Sequence, residues 1–170
     1  MKKLFYFVLI LNVAFSLLSC SKSEHGAVSG TSAAAPSFTL SDLQKHTVSL
    51  EDYKNRVVML EFFASWCPPC RMSAPEIKSV YEKYKDKGLV VLAISIDKGP
   101  DAEDAVRSFV KEFDLPYPAL MDDGKASSRY GVVSIPTSVV IDKQGNIRNR
   151  HIGLSPDFST TLSKEVEALL

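Results

Sequence analysis

Cysteine is scarce in this chain: Cys20, Cys67 and Cys70 are the three in 170 residues, too few for a scaffold held by disulfides. Net charge is missing as well. Lysine plus arginine and aspartate plus glutamate number 20 each, and removing Lys2 and Lys3 with an N-terminal leader leaves the acids ahead by two. So weak a field does not suit nucleic-acid binding. No apolar run reaches the roughly 20 residues of a membrane-spanning helix. His25, His46 and His151 are scattered over a polar stretch, a turn and a strand, so they read as surface groups and not as part of a four-ligand zinc site. There is no nucleotide-binding signature and no internal repeat. With 45% apolar and 24% charged residues, a disordered, collagenous or multi-span membrane protein is excluded.

What is present begins with a leader. Met1-Lys2-Lys3 precedes an apolar stretch over residues 4–18, broken by Asn12 and Ser16, which has the charge and length of a secretory signal. It ends in Leu17-Leu18-Ser19-Cys20, which resembles the lipobox of bacterial lipoproteins. That likeness implies removal of residues 1–19 and lipidation of Cys20. The alternatives are a plain signal with a chance cysteine, or an uncleaved anchor. Lipidation would leave two cysteines and no stray thiol in an oxidising compartment. Residues 20–36, rich in Gly, Ser and Ala, read as a flexible tether. Residues 37–170 then form one domain, long enough to bury a core.

Within that domain Phe38–Leu40 and Thr47–Leu50 are strand-like around a polar turn, and Val57–Phe63 is a run of the kind buried on both sheet faces. A helix is predicted from about Pro68 to Lys87, with Ile77, Val80, Tyr81 and Tyr84 on one face and Gly88 as its cap. Leu89–Ile96 is a second buried strand, and Asp101 caps a helix carrying Val106, Phe109, Val110 and Phe113. Ala119–Met121 is too short to assign. Thr137–Ile141 and Ile147–Ile152 flank a turn as a hairpin. Ser155 and Pro156 should open the last helix, with Leu162, Val166 and Leu169 on its inner face. This order predicts an α/β fold with a parallel core and a mixed sheet.

Trp66-Cys67-Pro68-Pro69-Cys70 falls where the first buried strand gives way to a helix. Cysteines at i and i+3 are neighbours on a helix surface, close enough for a disulfide. Free backbone N–H groups and the macrodipole at that end stabilise a thiolate on Cys67, while Cys70, inside the first turn, should lie deeper. Cys67 thus reads as the attacking nucleophile and Cys70 as the resolving thiol. Pro68 and Pro69 carry no N–H, which removes two donors from the sulfur's reach. A less stabilised thiolate favours the disulfide form and makes the dithiol form a better electron donor. A structural disulfide would be expected in a loop, and a peroxidase of the peroxiredoxin type would carry Thr or Ser at Ala64 and Pro at Leu60.

Glu61-Phe62-Phe63-Ala64-Ser65-Trp66-Cys67-Pro68-Pro69-Cys70 together with Ser134-Ile135-Pro136-Thr137 resembles the thioredoxin superfamily, and within it the TlpA/ResA branch of extracytoplasmic thiol–disulfide oxidoreductases. The resemblance implies a three-layer thioredoxin-like fold, a mixed central sheet flanked by helices, with extra N-terminal strands and a helical insertion near residues 98–117. It implies that Pro136 is cis and faces the dithiol, placing Ile135 beside it; a trans proline starting a strand is the alternative. Glu61 stands where thioredoxins carry a buried acid. A carboxylate within an apolar strand is costly unless protonated or paired, so Glu61 should move a proton to or from Cys70, directly or through a water, unless its head reaches solvent at a strand edge. The chain departs from close relatives at Ser73, where they often carry Glu, and this speaks against a role restricted to cytochrome c maturation.

The expectation from residues and resemblance together is a membrane-tethered monomeric reductase facing the periplasm. Trp66, Ile135 and Pro136 would contact a disulfide-containing exported protein, and a transmembrane thiol carrier would supply electrons. No metal or organic cofactor and no nucleic acid is implied. The alternatives are a Cu(I)-carrying thiol module without catalysis and a disulfide-forming oxidase.

Overall fold

The computed structural model describes residues 33–170; the leader, Cys20 and most of the expected tether lie outside them. Seven strands, β1 (Thr39–Asp42), β2 (Thr47–Ser49), β3 (Val57–Phe63), β4 (Leu89–Ser95), β5 (Ala119–Met121), β6 (Thr137–Ile141) and β7 (Ile147–Ile152), form one sheet in the order β2-β1-β5-β4-β3-β6-β7. β3, β4 and β5 run parallel, and β1, β2, β6 and β7 add antiparallel pairs. Among the described residues four helices accompany it: α1 (Pro68–Tyr84), α2 (Ala102–Phe113), α3 (Lys125–Arg129) and α4 (Phe158–Leu169). This is a thioredoxin-like α/β fold, as expected, with β1 and β2 as the extra N-terminal strands and α2 as the insertion. No helix among the described residues is long and apolar enough to cross a membrane.

β3 shows why the site sits where it does. All seven of its residues are buried, and successive side chains alternate between two cores. Val57, Met59 and Phe63 join the core made with α1, α2 and α4. Val58, Leu60 and Phe62 join the opposite one, with Phe38, Ala126 and Tyr130. Glu61 shares the phase of Met59 and Phe63, which places it under α1. The insertion is tied to the N-terminal hairpin by an Arg107 guanidinium on the Leu43 carbonyl and by a Lys45–Glu103 ion pair.

Four expectations need correction. Residues 33–36 belong to the fold and not to the tether: the Ala33 carbonyl accepts from Ile147 N–H at 2.8 Å, and Ala35 N–H donates to Gly145 at 2.9 Å. Small side chains let this backbone lie against the β6–β7 turn. The first helix ends at Tyr84, and a 3-10 turn over Lys85–Lys87 carries the chain to Gly88, whose φ of 111° suits glycine. His151 is half-buried between β7 and α4, its Nε2 2.8 Å from Glu165.

The last helix begins at Phe158, because Ser155-Pro156-Asp157 forms a turn and the Asp157 side chain caps no helix N–H. Its start is held from another element: Ser159 N–H donates to Glu76 Oε2 of α1 at 3.2 Å. A carboxylate at a helix N-terminus satisfies a free donor and complements the macrodipole. Glu76→Ala is therefore expected to lower stability by about 1 kcal/mol, read as a lower urea midpoint with an unchanged slope.

Candidate active site

β3 delivers the chain to the start of α1 through a short loop, and polar contacts fix that loop. Cys67 N–H donates to the Ala64 carbonyl at 3.1 Å. Ser65 donates to Asp97 twice, N–H to Oδ2 at 2.8 Å and Oγ to Oδ1 at 2.6 Å, and Ser95 Oγ donates to the same carboxylate at 2.7 Å. Arg71 Nη1 reaches the Ser65 carbonyl at 3.4 Å. Its guanidinium lies 5.1 Å from the Phe113 ring centre and also pairs with Glu112. The insertion helix thus braces the loop from outside while β4 braces it from below.

Cys67 is the N-cap residue of α1 and is joined to Cys70 by a disulfide across a Cα–Cα distance of 5.3 Å. Cys70 N–H points at the Cys67 sulfur at 3.3 Å, and Pro68 and Pro69, between them, are exposed. Cys67 is 4% exposed and Cys70 1%, so even the outer sulfur presents a narrow target in the disulfide form. The Ile135–Pro136 peptide bond is cis, and the Ile135 carbonyl oxygen lies 3.9 Å from Cys67 Sγ. Trp66 is 68% exposed. Met72 and Val133, on the segments carrying Cys70 and Pro136, are exposed too.

Beneath the disulfide lies Glu61, 4% exposed in the middle of the sheet and not at an edge. It pairs with Ser138 across β3–β6 and with Ala93 across β3–β4. Ser138 Oγ donates to Oε2, and Ser73 Oγ stands 3.3 Å from Oε1. Burial outweighs the opposing pull of the two hydroxyls and leaves the Glu61 carboxyl raised to about 7. Tyr117 lies nearby; burial, with Glu61's charge adding to it, holds its hydroxyl far above the usual tyrosine range. Glu61, Cys70, Ser73, Phe109 and Tyr117 enclose a void that admits a water centre over only about 10 Å³, roughly one water's worth. Cys70 and Glu61 therefore face one small shared space with room for about one water.

The structure gathers Trp66, Cys67, Pro68, Pro69, Cys70, Glu61, Ile135 and Pro136 at one end of the sheet, and Cys20 lies outside the described residues. Sequence reasoning passed over Ser138, Asp97 and Arg71. Asp97 did carry a signal: an acid just past the carboxyl end of a parallel strand, the end where α/β sheets build their sites. Ser138, inside an apolar run, carried none until its strand partner was known.

Fold and site define the class, a thioredoxin-like dithiol protein. The chain belongs to the AhpC/TSA family, whose model matches residues 31–150, and it is TlpA/ResA-like within that fold. It is 39% identical over 114 residues to the thiol-disulfide oxidoreductase ResA of Bacillus thuringiensis, covering 66% of this chain and 64% of that one. The chain thus spans just under two thirds of that relative's length. It is 36% identical over 150 residues to the thioredoxin-like protein YneN of Bacillus subtilis, covering 88% of this chain and 83% of YneN. Among solved structures, one described as a thiol:disulfide interchange protein DsbE, from Chlorobium tepidum, superposes with a TM-score of 0.75 at 32% identity, over 81% of this chain and 96% of that one.

Proposed function

We propose that this protein is a thiol–disulfide oxidoreductase that reduces disulfides of exported proteins, tethered outside the cytoplasmic membrane by a lipid on Cys20. The observation that carries the reading is a cysteine pair at a helix N-terminus, with the Ile135 carbonyl of the cis Ile135–Pro136 bond beside the outer sulfur and a buried carboxylate beside the inner one.

In the dithiol form the Cys67 thiolate attacks one sulfur of a substrate disulfide. The substrate S–S bond breaks, one substrate sulfur leaves as a thiolate, and the other stays bonded to Cys67. Cys70 gives its proton to Glu61 and attacks Cys67 Sγ, releasing the second substrate sulfur. The substrate has gained two electrons, the protein holds the Cys67–Cys70 disulfide, and the Glu61 proton passes to a departing thiolate or to solvent. An extended substrate segment would lie along Ile135, whose backbone is at the sulfur, with Trp66 as an apolar platform. A transmembrane thiol carrier would restore the dithiol.

The direction follows from the donor count at Cys67. Cys70 N–H reaches the sulfur, but Pro68 and Pro69 offer none, so the thiolate is stabilised less than with ordinary residues there. A peroxidatic reading is disfavoured by Ala64, which offers only its backbone carbonyl to Cys67. The test is a redox titration with an insulin-reduction assay. The dithiol should titrate toward the thioredoxin end, ~ −270 mV, and insulin should be reduced equally with or without a metal chelator. A potential near the strongly oxidising end, ~ −120 mV, would select an oxidase. Catalysis lost on adding chelator would point to a metal-dependent thiol site.

A further inference from the structure

Glu61 has to exist in two protonation states inside the core, and the two serines beside it are placed differently for that task. Ser138 lies directly across the β3–β6 pairing and donates to Oε2. Ser73, on α1 one turn past Cys70, has its Oγ 3.3 Å from Glu61 Oε1 and 3.1 Å from the Cys70 carbonyl oxygen. A hydroxyl carries one hydrogen and two lone pairs, so Ser73 can donate to only one of these oxygens at full strength. With Glu61 ionised, the carboxylate accepts only, and the Ser73 hydrogen belongs on Oε1. With a proton on Oε1, that new O–H donates to Ser73 Oγ, and the Ser73 hydrogen turns to the Cys70 carbonyl.

Both states leave every polar atom partnered. The change between them is one proton gained and one hydroxyl rotated. Apart from Cys70, which exchanges the proton, the other groups facing Glu61 do not compete for it, Tyr117 because burial holds its hydroxyl far above the usual tyrosine range. Ala93 on β4, Ala74 and Ile77 on α1, Phe109 on α2 and Leu115 are apolar, and Tyr117 and Cys70 are the titratable neighbours lining the shared void.

We propose that Ser138 and Ser73 are positioning residues for the exchange, Ser138 as a fixed donor and Ser73 as a reversing one, which together let Glu61 take and release the Cys70 proton while it stays buried. The proposal rests on the reading of Glu61 as the acceptor of that proton.

The two serines should part company in a titration of Glu61 in the disulfide form, where no turnover occurs. The carboxyl is followed by infrared spectroscopy or carboxyl ¹³C NMR, and the wild-type midpoint is expected near 7. Ser138→Ala removes a donor that favours the ionised form, and the midpoint should rise by about one pH unit. Ser73→Ala removes support from both forms, so its midpoint should move by less than half as much. Its resolution of a mixed disulfide should nevertheless slow at every pH from 6 to 9, and Ser73→Thr, which keeps the hydroxyl, should restore the rate. An unmoved midpoint in Ser138→Ala would overturn the proposal. So would a Ser73→Ala shift as large as that of Ser138→Ala, which would make Ser73 a one-way donor. If both midpoints behave as expected but Glu61→Gln resolves mixed disulfides at the wild-type rate, the serine placements stand and Glu61's part in the exchange falls.

Discussion

Replacing Cys70 with Ser is expected to stop the protein halfway, covalently bound to its substrate through Cys67. In the proposed reaction the wild type resolves the mixed disulfide with a thiol already held one helical turn away, across a Cα–Cα distance of 5.3 Å. An intramolecular thiol so placed acts at an effective concentration far above any free thiol. Without it, release waits for an external thiol, and insulin-reduction turnover should fall by roughly 10³-fold or more. The adduct should appear on non-reducing gels and in intact mass, and disappear on adding dithiothreitol. Cys67→Ser should form little or no adduct, since Cys70 is 1% exposed and sits against Glu61 and Ala74, away from solvent. Equal trapping by the two variants would reverse or erase the assignment of nucleophile and resolving thiol.

The same geometry shows what could be learned from residue order and what could not. The helix-start cysteines and the continuous apolar run before them were legible, because local spacing and strand burial determine both. Glu61 stood out as the one charge in Val57–Phe63. Its facing was not legible, since a strand buried on both sides gives no polar face to orient by. Only the phase shared with Met59 and Phe63, once those were placed under α1, settled which core it entered. Ser138 is 77 residues from Glu61 and Glu76 is 83 residues from Ser159. Partnerships at such separations are set by strand order and helix packing, which no local pattern encodes. The capping expected of Ser155 failed for that reason: the sequence beside a helix start names the local candidate, while α1 supplied the remote one.

Glu61→Gln should stabilise the protein in alkaline solution and slow its chemistry. The carboxyl titrates near 7 in the folded protein, against an ordinary value of 4.5. Between those pH values the folded chain binds a proton that the unfolded chain does not, so stability falls as pH rises through this window. Below 4.5 both states are protonated and nothing is lost; above 7 the full cost of burying the charge is present. The interval corresponds to ~3 kcal/mol. Gln carries no charge to bury, and its amide can accept from Ser138 and donate to Ser73 Oγ. The variant should therefore unfold at a higher urea concentration than wild type at pH 8, by an amount equivalent to ~3 kcal/mol, with the gap closing near pH 4. Gln cannot accept the proton Cys70 must lose, so mixed-disulfide resolution at pH 7 should slow by roughly 10²-fold. Wild-type and variant midpoints that track each other from pH 4 to 8 would show that Glu61 is not buried as a titrating acid. The coupling of stability to redox chemistry through this one carboxyl would then be absent.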